Sequence, residues 1–210
     1  MYTYQEETQV DLYETYEWDN TWHEHANDHT TPRILYIGDS ISCEVRRCLN
    51  EHGQGSFRCD GYGSSRAIDD PFFYAQLLLF AQQQGYRNVI LLNNGLHGWH
   101  LDEEAYELAY ENMVKFLLRT FPSTPIVLLL STNVVADQNR TKILIQRNHI
   151  VEKLAAKYHC PVIDLFSCSN QINNLYAPDG VHFSKQGYNR LSQPILSWLN
   201  NHLFGTEFQQ

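Results

Sequence analysis

Arg33-Ile34-Leu35-Tyr36-Ile37-Gly38-Asp39-Ser40-Ile41 is the stretch whose reading decides the fold. A short β-forming run stops at a glycine and a helical pattern starts almost at once, which reads as a strand, a tight turn and a helix. The run shows no apolar/polar alternation, as expected of a strand covered on both faces in a parallel sheet. From here onward β-rich runs alternate with longer helical patterns. Strands are expected at residues 33–37, 56–60, 88–93, 125–131 and 161–165. Helices are expected at residues 42–51, 71–84, 102–120, 139–159 and 184–203, with Pro71 and Asp102 placed as helix starters.

This rhythm belongs to a parallel sheet sandwiched between helices. The expected architecture is a three-layer α/β/α domain, flavodoxin-like, with a five-stranded parallel sheet in the order 2-1-3-4-5. A length of 210 residues suits one such domain, which the pattern assigns to residues 32–210. Residues 1–31 stand apart. They hold Tyr2, Tyr4, Tyr13, Tyr16, Trp18 and Trp22, too many aromatics for a solvated tail, so they are expected to pack as a strap over the domain or as an arm across a second copy in a homo-oligomer.

The formal charge of −9 is uneven, because residues 1–32 carry eight acids and only the following residue, Arg33, opens the basic complement. Such a balance offers no basic face and argues against nucleic acid and anionic lipid as partners. No run approaches the roughly 20 apolar residues of a membrane span, and no leader pattern opens the chain, so the expected location is cytoplasmic, an exported form with its leader removed being the alternative. Cys43, Cys48, Cys59, Cys160 and Cys168 form no C-x-x-C pair, which speaks against a disulfide framework and a zinc site. His23, His25 and His29 lie in a polar acidic segment and are read as solvated; no metal is expected.

Two distant motifs carry chemistry. A serine hydroxyl attacks a carbonyl only when a base takes its proton and a third group orients that base. Ser40 ends the first strand, and Asp179-Gly180-Val181-His182 supplies a carboxylate and an imidazole spaced to pair on one loop. Donors for an oxyanion are expected from the Ser40 N–H, from a glycine N–H in Asp60-Gly61-Tyr62-Gly63-Ser64, and from a carboxamide in Leu91-Leu92-Asn93-Asn94-Gly95. Asp39 is read as holding the turn, and Arg66 as a solvated surface residue. His97 and Trp99 follow the asparagines on a loop expected to border substrate, where an aromatic face could stack on a sugar or cover an acyl chain.

Over residues 33–203 these blocks resemble the SGNH, or GDSL, hydrolase superfamily. The likeness is strongest at Ile37-Gly38-Asp39-Ser40-Ile41 and at Ala177-Pro178-Asp179-Gly180-Val181-His182, followed by Gly187. It implies Ser40, Asp179 and His182 as catalytic residues and Ser40, Gly63 and Asn93 as oxyanion donors, with Gly61 and Asn94 as the alternatives. The asparagine block departs from the family's Gly-x-Asn-Asp pattern, with Leu91 for the glycine and Asn94 for the aspartate. The resemblance implies ester hydrolysis through an acyl-enzyme, without metal or organic cofactor. Its expected substrate is a small-molecule or carbohydrate ester, acetyl esters first. A thioesterase or lysophospholipase, and a carbohydrate-binding module without turnover, are the alternatives.

Overall fold

The computed structural model describes residues 13–205. Its sheet holds β2 (Arg33–Gly38), β3 (Arg58–Ser64), β4 (Val89–Leu92), β5 (Ile126–Leu129) and β6 (Val162–Ile163), all parallel, joined at one edge by the antiparallel β1 (Asp19–Trp22). The order β1-β3-β2-β4-β5-β6 contains the expected 2-1-3-4-5 arrangement, but the sheet has six strands, not five. The sixth comes from the N-terminal segment: β1 lies along β3, Asp19 opposite Ser64 and Trp22 opposite Gly61. Residues 13–31 thus pack on their own chain, while Tyr2 and Tyr4 lie outside the described residues.

The helices are α1 (Ser40–Gly53), α2 (Pro71–Gln82), α3 (Glu103–Thr120), α4 (Gln138–Tyr158), α5 (Leu165–Gln171) and α6 (Lys185–Phe204). Each of the first five is capped by an aspartate: the side chains of Asp39, Asp70, Asp102, Asp137 and Asp164 accept backbone N–H bonds of the opening turn. Ser184 does the same for α6. A cap of this kind is worth about 1 kcal/mol, and a carboxylate also complements the positive end of the helix.

Successive residues of the central strands feed two separate cores. Ile34 and Tyr36 of β2 face α1 and α6, whereas Leu35 and Ile37 face α2, α3 and α4. All four are buried, which explains the missing alternation.

Two elements depart from the sequence reading. β3 runs four residues past its expected end and through Gly61 and Gly63, which fall in the loop after the strand expected from the sequence. They are strand positions crossed closely by α1: a Cβ on Gly63 would run into Cys43 Sγ and come within 3.2 Å of Asp39 O. Gly63→Ala should therefore cost about 1–3 kcal/mol of stability, read as a lower denaturant midpoint at unchanged slope. The last expected strand is cut to Val162–Ile163 because Asp164 caps α5, where its Oδ1 accepts from the Ser167 N–H.

Candidate active site

Ser40 lies just beyond the C-terminal end of β2, the side of a parallel sheet where crossover loops converge. Asp39 carries out the capping. Its Oδ1 accepts from the N–H groups of Ile41 at 2.9 Å and Ser42 at 3.3 Å, and its carbonyl accepts from the Cys43 N–H at 3.2 Å. Burial pushes the Asp39 carboxyl up, opposed by His97 and by these N–H bonds. Ser40 is left free of structural duty, and its Oγ sits 2.8 Å from His182 Nε2.

The loop before α6 builds the other half. Gly180 has φ +68, and a Cβ there would press on Ala136, so the turn needs glycine. Asp179 Oδ1 then accepts from the N–H groups of Val181 and His182, both at 2.9 Å, while Oδ2 lies 2.7 Å from His182 Nδ1. These bonds, the Val181 N–H first, hold the Asp179 carboxyl down at about 2. A carboxylate can only accept, so Nδ1 carries a proton, and in the neutral ring Nε2 is left to accept from the Ser40 hydroxyl. The structure thus joins Ser40, His182 and Asp179 into one proton path, although 142 residues separate the serine from the histidine.

The expected oxyanion donors fare unevenly. The Ser40 N–H has no acceptor among the described residues and opens the helix, where positive dipole gathers. Asn93 turns the other way. Its Nδ2 donates to Leu129 O at 2.8 Å and Ser131 Oγ at 3.1 Å, using both hydrogens, because these acceptors at the end of β5 lie beside it and would otherwise be buried unpaired.

Asn94 donates once, to Arg66 O at 3.1 Å, is 1% exposed and keeps one hydrogen. Gly63 is also turned away. The Arg58 N–H points at β2 through Pro32 O and that of Ser65 at the N-terminal segment through Trp18 O; by strand alternation the Gly63 and Gly61 N–H groups both face β1. Arg66 is not solvated but clamped between Asp19 and Asp70.

A cleft of about 750 Å³ opens over Ser40 and His182. His97 and Trp99 line it as expected, together with Tyr13, Tyr16 and Trp18 of the N-terminal segment. Three contributors escaped the sequence reading. Glu14 Oε1 meets His97 Nδ1 at 2.9 Å, and Arg140 stacks over Trp99 at 4.7 Å. Buried Arg147 donates to the carbonyls of Gly95, His97 and Gly98 and so fixes the loop that presents both rings. Only Arg147 left a signal: a cation between Leu144 and Val151 on the apolar stripe of α4.

Residues 36–190 match the family model of the GDSL-like Lipase/Acylhydrolase family. No curated protein sequence matches the chain. Solved structures similar to it include an acetyl xylan esterase at 18% identity and TM-score 0.64, the match covering 80% of this chain and 99% of that one. The C-terminal catalytic domain of Streptococcus pneumoniae peptidoglycan O-acetyltransferase A matches at 16% identity and TM-score 0.64, over 82% of this chain and 95% of that one. An acetylxylan esterase from Geobacillus stearothermophilus matches at 15% identity and TM-score 0.62, over 79% and 93%. At these identities the likeness is one of fold.

Proposed function

The chain belongs to the GDSL-like lipase/acylhydrolase family, and from that premise we propose that it is a serine esterase that removes small acyl groups, acetyl above all, from carbohydrate. The observation that carries this reading is the hydrogen-bonded run from Ser40 through His182 to Asp179 at the floor of an open, aromatic-walled cleft.

In the proposed reaction Ser40 Oγ attacks the ester carbonyl carbon while His182 Nε2 takes its proton and Asp179 steadies the imidazolium. The carbonyl π pair moves to oxygen, which the Ser40 N–H meets. Collapse of that intermediate expels the sugar alkoxide, protonated by His182, and leaves an acyl-serine. Water, deprotonated by the same imidazole, then releases the acid and restores Ser40.

Wall chemistry supports a sugar rather than a long acyl chain. Tyr16, Trp18 and Trp99 offer flat faces with polar edges, and Glu14 and Arg140 stand among them, so an alkyl chain would have to desolvate charge to lie there. Acetyl substrates named for two of the similar structures point the same way. A series of acyl esters from acetyl to palmitoyl tests the reading. The ratio kcat/KM should fall at least tenfold, about 1.4 kcal/mol, between acetyl and octanoyl, with acetate released from acetylated xylan. A maximum at long chains would transfer the protein to the lysophospholipase class.

A further inference from the structure

The proposed ester chemistry lacks its full set of oxyanion donors, because the side chain of Asn93 and the N–H groups of Gly61 and Gly63 are committed elsewhere. We propose, resting on that reading, that His97 supplies the missing donor: its Nε2–H binds the oxyanion, and Glu14 of the N-terminal segment is the residue that positions it.

Geometry carries the inference. His97 lines the same cleft as Ser40 and His182, whereas Asn94 does not. Its ring is only 14% exposed and is held at three points. The Glu14 carboxylate engages Nδ1 at 2.9 Å, the indole of Trp18 meets the ring edge-on at 6.4 Å, and Arg147 anchors the His97 carbonyl at 2.7 Å. Nε2 has no hydrogen-bond partner among the described residues, which leaves it available to a ligand in the cleft that His97 lines. A carboxylate on Nδ1 fixes that nitrogen as a donor. If the ring is cationic, Nε2 carries a proton as well.

The surrounding charges favour the cation. Glu14 bonds the ring, and Asp39 beneath the nucleophile and Glu17 on the N-terminal segment add attraction; together they outweigh burial and raise the His97 pKa. Arg140 and His182 share the cleft, and the Arg147 guanidinium lies behind the loop, turned to its carbonyls. During the reaction His97 gives up no proton. It donates a hydrogen bond to oxygen as the π pair arrives and loses that bond when the carbonyl reforms, so the proton inventory stays with Ser40, His182 and the leaving alkoxide. This division gives the two histidines opposite requirements: His182 must be neutral to start, and His97 must be charged.

The experiment compares wild type with His97→Ala, His97→Gln and Glu14→Gln, using an acetyl ester and a fluorophosphonate probe. His97→Ala should lower kcat about 10²-fold with KM little changed, as for loss of one oxyanion donor, and His97→Gln should recover part of it through its carboxamide N–H. A raised pKa means the cation is present below it and lost as pH climbs through it. Removing the Glu14 charge should therefore move the alkaline limb of kcat to lower pH and leave the acid limb in place.

Glu14 lies on the surface, so this variant reads the pair even where His97→Ala fails to fold. Loss confined to KM in His97→Ala, or an unmoved alkaline limb in Glu14→Gln, overturns the assignment. A wild-type protein that hydrolyses no ester and leaves the phosphonate unreacted overturns the esterase reading with it. Prompt labelling combined with full turnover in His97→Ala overturns the His97 role alone.

Discussion

Ser40→Ala is expected to lower kcat by about 10⁵–10⁶-fold and to abolish labelling by a fluorophosphonate, while the protein unfolds at nearly the same denaturant concentration as wild type. The two halves of that expectation come from different residues. Capping of α1 rests on the Asp39 side chain, so removing the Ser40 hydroxyl deletes one hydrogen bond, the one to His182. A serine serving as a helix cap would show the reverse, a loss of about 1 kcal/mol of stability and no chemical phenotype. Turnover surviving in the variant at more than about a hundredth of the wild-type rate would place the nucleophile elsewhere.

The second large effect concerns stability. Asp60 is fully buried on β3, where Arg33 Nη1 lies 2.6 Å from its Oδ1 and Arg87 Nε 3.7 Å from its Oδ2. His23, stacked on Phe80, stands 3.6 Å away, and the Glu24 N–H donates to Oδ1 at 2.9 Å. Asp60→Ala should cost about 3–5 kcal/mol, because two buried guanidinium groups would lose their shared carboxylate in a site that water does not reach. Asp60→Asn, which keeps the shape and one acceptor, should cost less. Urea denaturation measures both, and a shift below about 1 kcal/mol for the alanine variant would mean that the cations had found water.

Arg33 extends the effect to the cleft. Its guanidinium also donates to the carbonyls of Glu24, His25 and Asp28, so it holds the N-terminal segment that carries Glu14 and Trp18. Loosening that cluster should lower kcat through His97 as well as stability.

The central layers were legible because burial on both faces leaves a plain mark. Ile34 to Ile37 cannot be read as anything but an interior strand, and the spacing of Asp179 and His182 is set by one turn, so it survives in the sequence. β1 left no such mark: Asp19, Asn20, Thr21 and Trp22 are all exposed, and the strand is held by its backbone pairing and by the polar bonds of Asp19 to Tyr62, Ser64 and Arg66, none of which an apolar pattern records. Gly61 and Gly63 misled for the opposite reason, since residues chosen for lack of bulk beneath α1 look like residues chosen for a turn. The orientation of Asn93 depended on Leu129 and Ser131, acceptors 36 and 38 residues away. No local reading could weigh them.

β1 also has a bearing on how the chain avoids its own kind. Without it the outer edge of β3 would be a row of open N–H and C=O groups, the template on which sheets of separate molecules join and aggregate. The segment that closes this edge is synthesised before β3 yet can dock only after β3 has emerged, some 40 residues later. Until then the nascent sheet is open to strangers, and the acidic character of its first 32 residues is a ready means of keeping neighbouring chains apart.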